Sequence, residues 1–315
     1  MSEQLNVSSL TTVTVSAPGT VANLVCGFDV LGLCLKQPCD EMTVSLLAEK
    51  KVVITSADSY NLPTDPAQNT AGAPLLEMLQ ELNADFGFEV SIKKNIKPGS
   101  GIGSSAASAA GAVVAANILL GNRFSNEQLV RFAMSGEKVA SGVKHADNVA
   151  PCIYGGVTLI RSIFPLEIVP IPSPELWVTV VHPQIEVRTA DARQILKKQV
   201  LLKDAIRQWG NIAGLVAGFM KNDYGLIGRS LEDVIIEPVR SILIPCFDEV
   251  KAKSLAAGAL GGGISGSGPS LFMLSKNKNT ADEVASIMGK IYSNISLDHH
   301  VYVTRINHEG VRKIS

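Results

Sequence analysis

The sequence predicts an α+β fold in two domains, on three observations. Its 315 residues leave room for about two domains at ~100–200 residues each. Strand-like and helix-like apolar periods are mixed along it without a strict βαβα rhythm, which favours α+β over a doubly wound parallel sheet. A proline cluster at Pro165, Pro170, Pro172 and Pro174 supplies the boundary. The domains are then 1–164 and 165–315, with the last strand free to return to the first domain.

Taken in chain order, the β-branched run 11–16 reads as a strand ending in a turn at Ala17-Pro18-Gly19. Segments 42–47 and 51–55 read as a strand pair, and Leu75, Leu76, Leu79 and Leu82 give helical spacing over 73–82. Residues 88–92 alternate as a strand. A helix follows over 104–120, closed by Gly121-Asn122, and another over 126–141 with Ser125 as N-cap. Beyond the prolines, 176–181 is a strand, 191–209 a helix and 212–220 a small-residue helix. A helix at 249–257, a glycine run at 258–268, a strand at 271–274, a helix at 281–291 and a strand at 301–306 complete the reading.

Composition excludes several classes. The chain is 46% hydrophobic with a net charge of −1, so it is neither disordered nor basic enough for nucleic acid. Five scattered cysteines (Cys26, Cys34, Cys39, Cys152, Cys246) contain no CxxC pair and read as reduced thiols of a cytosolic protein. The opening Met1-Ser2-Glu3-Gln4 is polar, with no basic n-region, and is not a signal peptide. No charge falls between Lys97 and Arg123, but its first half is mostly Gly and Ser, so a buried helix after a glycine loop fits better than a membrane span.

The strongest local signal is Pro98-Gly99-Ser100-Gly101-Ile102-Gly103-Ser104-Ser105 at the start of a helix. Glycines admit an anion close to the backbone, and the helix start aims free N–H groups and its positive dipole end at the same place. Ser104 and Ser105 can cap the helix, donate to phosphate or ligate Mg²⁺. The run matches neither Walker A nor GxGxxG.

This loop, the motif Pro18-Gly19-Thr20-Val21-Ala22-Asn23-Leu24 with Gly27-Phe28-Asp29, and a later Gly261-Gly262-Gly263-Ile264-Ser265-Gly266-Ser267-Gly268-Pro269 form an ordered set. Glu137 with His145-Ala146-Asp147-Asn148, Thr189-Ala190-Asp191-Ala192-Arg193, and Asp233 with Glu237-Pro238-Val239-Arg240 extend it. Together they resemble the GHMP small-molecule kinases, and within them the homoserine kinase family, over about residues 13–274.

The resemblance implies a ribosomal-protein-S5-like ATP domain, a ferredoxin-like C-terminal domain, and ATP-dependent phosphorylation of the homoserine hydroxyl in threonine biosynthesis. ATP and Mg²⁺ are the implied cofactors. The nucleotide would contact Asn69, Gly99, Ser100, Gly101, Ile102, Gly103, Ser104 and Ser105, with Ser105 and Glu137 as metal ligands. The second glycine run would lie beside the first. Homoserine would meet Asn23 at its hydroxyl, Asp29 at its ammonium, and Arg193, Arg240 and His145 at its carboxylate.

Where related kinases carry a basic aspartate, the matching position is Asn148, which accepts no proton at neutral pH. Catalysis by positioning and charge stabilisation follows, through Asn23, Asn148 and Arg193, with neighbouring Asp147 as a rival base. Arg240 has a plainer alternative in an ion pair with Glu237.

Two departures from the family pattern concern backbone shape: Val25-Cys26 replaces the usual Gly-Pro, and the proline opening the phosphate loop comes one place late, as Pro98. Two other functions stay open: another alcohol kinase of the superfamily, or a catalytically silent relative that binds a small molecule. No nucleic-acid or membrane partner is expected. The small-residue helix 212–220 can pack within one subunit or between two, so a homodimer is one of two alternatives.

Overall fold

A computed structural model describes residues 10–56, 60–187 and 189–315. The polar opening Met1-Ser2-Glu3-Gln4 lies outside them. The chain runs β1 (Thr12–Ala22), β2 (Leu31–Leu47), β3 (Val52–Ser56), α1 (Gly72–Glu81), β4 (Gly87–Lys93), α2 (Ser104–Leu119), α3 (Asn126–Ser141), α4 (Val149–Tyr154), β5 (Val157–Ile163) and β6 (Leu166–Ile171). It continues through β7 (Trp177–Pro183), α5 (Thr189–Gln194), α6 (Leu202–Lys221), α7 (Tyr224–Ser230), α8 (Glu237–Arg240), α9 (Phe247–Ala256), β8 (Gly261–Ile264), β9 (Leu271–Ser275), α10 (Lys278–Asn294), β10 (His299–Arg305) and β11 (Arg312–Lys313).

The first lobe is built on a seven-stranded sheet in the order β11-β1-β2-β4-β3, with β5 and β6 extending from β2. Across it lies α2, 13 of whose 16 residues are buried. Its alanines allow this: a Cβ on Gly111 would stand 3.0 Å from that of Ala17 in β1, so helix and sheet are already in close contact. α3 begins with a reciprocal capping box, Gln128 N–H donating to Ser125 Oγ at 3.3 Å and Ser125 N–H to Gln128 Oε1 at 2.9 Å.

The second lobe is a four-stranded antiparallel sheet in the order β10-β7-β9-β8. Numbered within the lobe this is 4-1-3-2, the ferredoxin-like arrangement. Strands β7, β8 and β9 are buried on both faces, and only the edge strand β10 is partly exposed. Phe272 and Leu274 of β9 join the core shared with the first lobe, while Leu271 and Met273 join a second core with Val284, Met288 and Ile291 of α10.

Four expectations are revised. The first strand does not stop at Ala17-Pro18-Gly19; it absorbs the turn residues as a bulge between Pro18 and Thr20 and continues to Ala22. Segments 42–47 and 51–55 are not partners: β4 lies between them, parallel to β3, with α1 forming the crossover that a parallel pair requires.

The boundary expected at 164/165 falls inside the β5–β6 hairpin of the first sheet, where Pro170 sits opposite Thr158. Among the described residues β6 pairs only with β5, a place where proline is tolerated, and the passage to the second sheet comes after Ile171. The strand expected at 301–306 is β10, which pairs with β7 in the second sheet, while a short β11 that the sequence reading did not place pairs with β1.

Finally, the helix expected over 191–209 is two helices. Leu201 takes extended backbone (φ −68°, ψ 138°), and α6 runs unbroken from 202 through the small-residue segment. Nothing in the local sequence marks that break. The small residues face inward: a Cβ on Gly214 would meet Ser230 Oγ at 2.5 Å and one on Gly218 would meet Ile227 at 2.9 Å, so this face packs on α7 within the subunit.

All five cysteines are free. Among the described residues no helix is long and apolar enough to cross a membrane.

Candidate active site

A cleft of about 450 Å³ opens between the lobes, lined by residues of both. One wall is the loop 98–103 with the first turn of α2. Gly101 and Gly103 turn this loop at φ 81° and 72°. A Cβ at Gly101 would fall 2.5 Å from the Gly268 carbonyl oxygen, and one at Gly103 would fall 2.0 Å from Thr20 Oγ1, so neither position accepts a side chain. No side chain caps α2, which leaves its first amides available to an anion.

The serines divide. Ser105 faces the cleft, and Ser100 Oγ is buried with no hydrogen-bond partner among the described residues. The Ser104 hydroxyl instead donates to Ile96 O at 2.8 Å, so its proton is not available to phosphate. Ile102 offers only its backbone to the loop, because its side chain is 1% exposed in the core.

Beneath this turn lies a buried ion pair that the sequence reading missed. Lys94 bonds Asp40, donates to Ser104 O at 2.8 Å and reaches Ser108 Oγ at 3.1 Å. Asp40 Oδ1 accepts the amides of Asn95 and Ile96 at 2.8 and 2.9 Å. The pair ties the end of β4 to the start of α2.

The opposite wall is the second glycine run, part of which is strand β8. Ser265 Oγ donates to Gly101 O at 2.7 Å and Ser270 Oγ to Ser100 O at 2.6 Å, so two hydroxyls of the second lobe hold two carbonyls of the phosphate-type loop. Gly266 and Ser267 line the cleft.

Ser105 and Glu137 meet in one corner. Glu137 is buried, hydrogen-bonded by Ser105, and its carboxyl is pushed up to about 7 by desolvation. Glu137 Oε1 has no partner among the described residues. An orphaned carboxylate oxygen beside a hydroxyl suits a hard divalent cation. Among the described residues no three His, Cys, Asp or Glu side chains cluster as a metal cage.

The other end of the cleft gathers the residues expected to meet a zwitterion. The turn 23–29 aims them: Asn23, Leu24, Val25 and Asp29 all take positive φ, 73°, 42°, 65° and 60°. Val25, at the position where the family pattern has glycine, is a β-branched residue in a left-handed conformation, a strain of about 1–3 kcal/mol held by its burial. Asn23 donates from Nδ2 to Gly266 O at 2.8 Å and accepts Asp29 N–H at 3.0 Å, which leaves one N–H and one lone pair free.

Arg193 Nη2 donates to both oxygens of Asp29 at 2.8 and 3.0 Å, so two residues assigned to opposite ends of the substrate pair with each other. Arg240 is 3% exposed; it donates to Ala192 O at 3.0 Å and Gly266 O at 3.2 Å. Glu237 pairs with Lys251 instead, so the Arg240–Glu237 alternative is wrong. Burial, with Arg193 adding repulsion, lowers Arg240 to about 10. His145 lies 3.8 Å from Asp29, with its own value lowered mainly by desolvation, and its Nε2 is buried without a partner among the described residues.

Phe28 lies under both guanidinium groups, a contact the sequence reading quoted within a motif without giving it a role. Of the motif 189–193, the side chains of Thr189 and Ala190 lie outside those described.

Asp147 and Asn148 face the same cleft. Thr20 Oγ1 donates to Asn148 Oδ1 at 2.7 Å, leaving the Nδ2 donors for a ligand. Asp147 is buried and is raised to about 7 by desolvation, then by the charges of Asp29 and Glu137.

Asn69 departs from its expected place. Its Nδ2 donates to Pro63 O at 2.7 Å and its Oδ1 accepts the amides of Ala71 and Gly72 at 2.8 and 3.2 Å. The amide fixes the turn before α1 and is not among the cleft-lining groups; Leu62 and Thr70 are.

Comparisons with known proteins give the family. Family models for the GHMP kinases N terminal domain and the GHMP kinases C terminal match residues 69–156 and 215–294. The homoserine kinase of Chloroherpeton thalassium is 46% identical over 314 residues, covering 95% of this chain and 98% of its own. That of Methanocella arvoryzae is 41% identical, with 96% and 97% covered.

Among solved structures, the homoserine kinase of Cytophaga hutchinsonii superposes with a TM-score of 0.93 at 48% identity, covering 98% of each chain. The mevalonate kinase of L. major, at 16% identity and a TM-score of 0.71 over 98% of this chain and 100% of its own, shares the fold. With one cleft framed by both glycine runs and relatives of that identity along nearly its whole length, the chain belongs to the homoserine kinase family of the GHMP kinases.

Proposed function

We propose that the cleft transfers the γ-phosphoryl group of ATP to the side-chain hydroxyl of L-homoserine, giving ADP and O-phospho-L-homoserine as a cytoplasmic step of threonine synthesis. The observation that carries the substrate assignment is the charge balance at the 23–29 end. Arg193 and Asp29 neutralise each other there, while buried Arg240 has no carboxylate within 4 Å among the described residues. A zwitterion brings one charge of each sign and can open the Arg193–Asp29 pair without leaving either charge unpaired. A neutral polyol, or an anion such as mevalonate, has no ammonium to give Asp29.

ATP phosphates would lie on the amides of residues 99–103 and the start of α2, with Ser100 Oγ a free donor. Ser105 and Glu137 would hold Mg²⁺, which supplies neutralisation of phosphate charge when bound. Arg193 and Arg240 orient the homoserine carboxylate, with the neutral His145 beside them; Asp29 takes the ammonium. Asn23 and the Nδ2 of Asn148 position the hydroxyl and the transferring group. As the γ-phosphorus bond to the bridging oxygen breaks and the bond to the homoserine oxygen forms, the hydroxyl proton leaves to a phosphate oxygen or water.

An ADP-release assay with Mg²⁺ across homoserine, serine, threonine, mevalonate and galactose tests this. Turnover confined to homoserine is expected, and turnover of none or of mevalonate alone overturns it.

A further inference from the structure

From the geometry of the 23–29 turn we infer that Phe28 is a positioning residue for substrate specificity: its ring is the platform that holds the guanidinium groups of Arg193 and Arg240 converged on one carboxylate. This rests on the homoserine reading above and adds the device that sets the spacing of the two cations.

The guanidinium carbon of Arg240 lies 4.9 Å from the Phe28 ring centroid and that of Arg193 lies 5.4 Å from it, both within the range of cation–π attraction. The two arginines come from different elements, α5 and α8, and the hydrogen bonds described put no carboxylate between them. Like charges brought together in this way repel, and each is only partly committed. Arg193 leans on Asp29 from one side with its Nε buried and unpartnered, and Arg240 is tied by two backbone carbonyls. The ring offers both cations the same negative quadrupole, an attraction that an aliphatic side chain of equal bulk cannot supply.

The backbone fixes where that ring goes. Phe28 follows Gly27, at which a Cβ would lie 2.5 Å from Leu31, and precedes Asp29 at φ 60°. The same turn therefore delivers the anion for Arg193 and the ring beneath both arginines. Together with Asn23, Asp29 and Gly266, Phe28 lines the substrate end of the cleft.

The experiment compares the parent enzyme with Phe28→Leu and Phe28→Tyr, measuring kcat and KM for homoserine and for ATP, melting temperature, and inhibition by 3-aminopropan-1-ol, which is homoserine without its carboxylate. Phe28→Leu is expected to raise the homoserine KM roughly tenfold, the equivalent of about 1.4 kcal/mol. The ATP KM and the inhibition constant of the amino alcohol should change less than twofold, and Phe28→Tyr should restore the parent value. A homoserine KM within twofold of the parent, or equal rises for ATP and for the carboxylate-free inhibitor, overturns the inference.

Should Phe28→Leu melt below the assay temperature, stepwise fluorination of Phe28 weakens the quadrupole at nearly constant shape. The homoserine KM must then climb with each fluorine, and a flat series overturns the inference. A parent enzyme without homoserine turnover removes the substrate reading itself, a result distinct from any of these.

Discussion

Replacing Glu137 by glutamine tests the metal corner without touching the fold's surface. Glu137 is 6% exposed, and burial lifts its carboxyl from 4.5 to about 7 in the ligand-free chain. Below pH 4.5 the folded and unfolded chains both hold the proton. Between 4.5 and 7 the unfolded chain releases it while the folded chain keeps it, so folding stability falls as pH rises and levels off above 7. At about 1.36 kcal/mol for each factor of ten in proton affinity, that loss is about 3 kcal/mol from this one group. Glu137→Gln has no proton to lose.

Melting temperatures of parent and Glu137→Gln, measured from pH 5 to pH 8 without nucleotide, should therefore diverge by several degrees at the alkaline end, with the variant the more stable. Asp147, raised to about 7 mainly by desolvation and in part by the Glu137 charge, leaves a smaller slope in the variant than in the parent. Adding Mg·ATP at pH 8 should stabilise the parent and not the variant. Parallel loss of stability in the two proteins from pH 5 to pH 8 would refute the argument that burial, rather than a partner, sets this carboxylate.

Arg240→Lys removes the planar fork from a buried site and should raise the homoserine KM about 10- to 100-fold with the ATP KM unchanged, read by steady-state kinetics. Gly101→Ala places a Cβ 2.5 Å from the Gly268 carbonyl at φ 81°, so it should cost more than ~1 kcal/mol in denaturant unfolding and at least tenfold in nucleotide affinity by calorimetry. Lys94→Met leaves Asp40 charged and uncompensated in the interior and should destabilise by about 3–5 kcal/mol; Lys94→Met with Asp40→Asn should recover part of that in the same unfolding titration. Asn148→Ala should lower kcat about 10- to 100-fold, whereas Asp147→Asn should stay within tenfold of the parent across pH 6–9. The reverse ranking would make Asp147 the proton acceptor.

What the sequence made legible was local. Ser125 and Gln128 announce the start of α3, alanines and glycines announce α2 and its loop, and the unbroken apolar run at 271–274 announces a buried strand. What it hid depends on partners far along the chain. The insertion of β4 between β2 and β3 follows from pairing, and periodicity does not encode which strand a strand will meet. The Lys94–Asp40 pair spans 54 positions, and no short motif marks it. Ser104 and Ser105 look equivalent as letters, yet a helix turns successive side chains about 100° apart, so one hydroxyl goes to Ile96 and the other to the cleft. Asn69 read as a ligand because turn-forming and base-reading asparagines share a sequence signature.

The two hydroxyls of Ser265 and Ser270 make the phosphate loop a joint possession of both lobes. Its carbonyls at 100 and 101 keep their orientation only while β8 and β9 are in place, although the loop's chain belongs entirely to the first lobe. Nucleotide binding would thus report on the integrity of a sheet whose strands do not themselves line the cleft. Damage to the Leu271–Met273 core beneath α10 would surface as lost ATP affinity well before the first sheet began to melt.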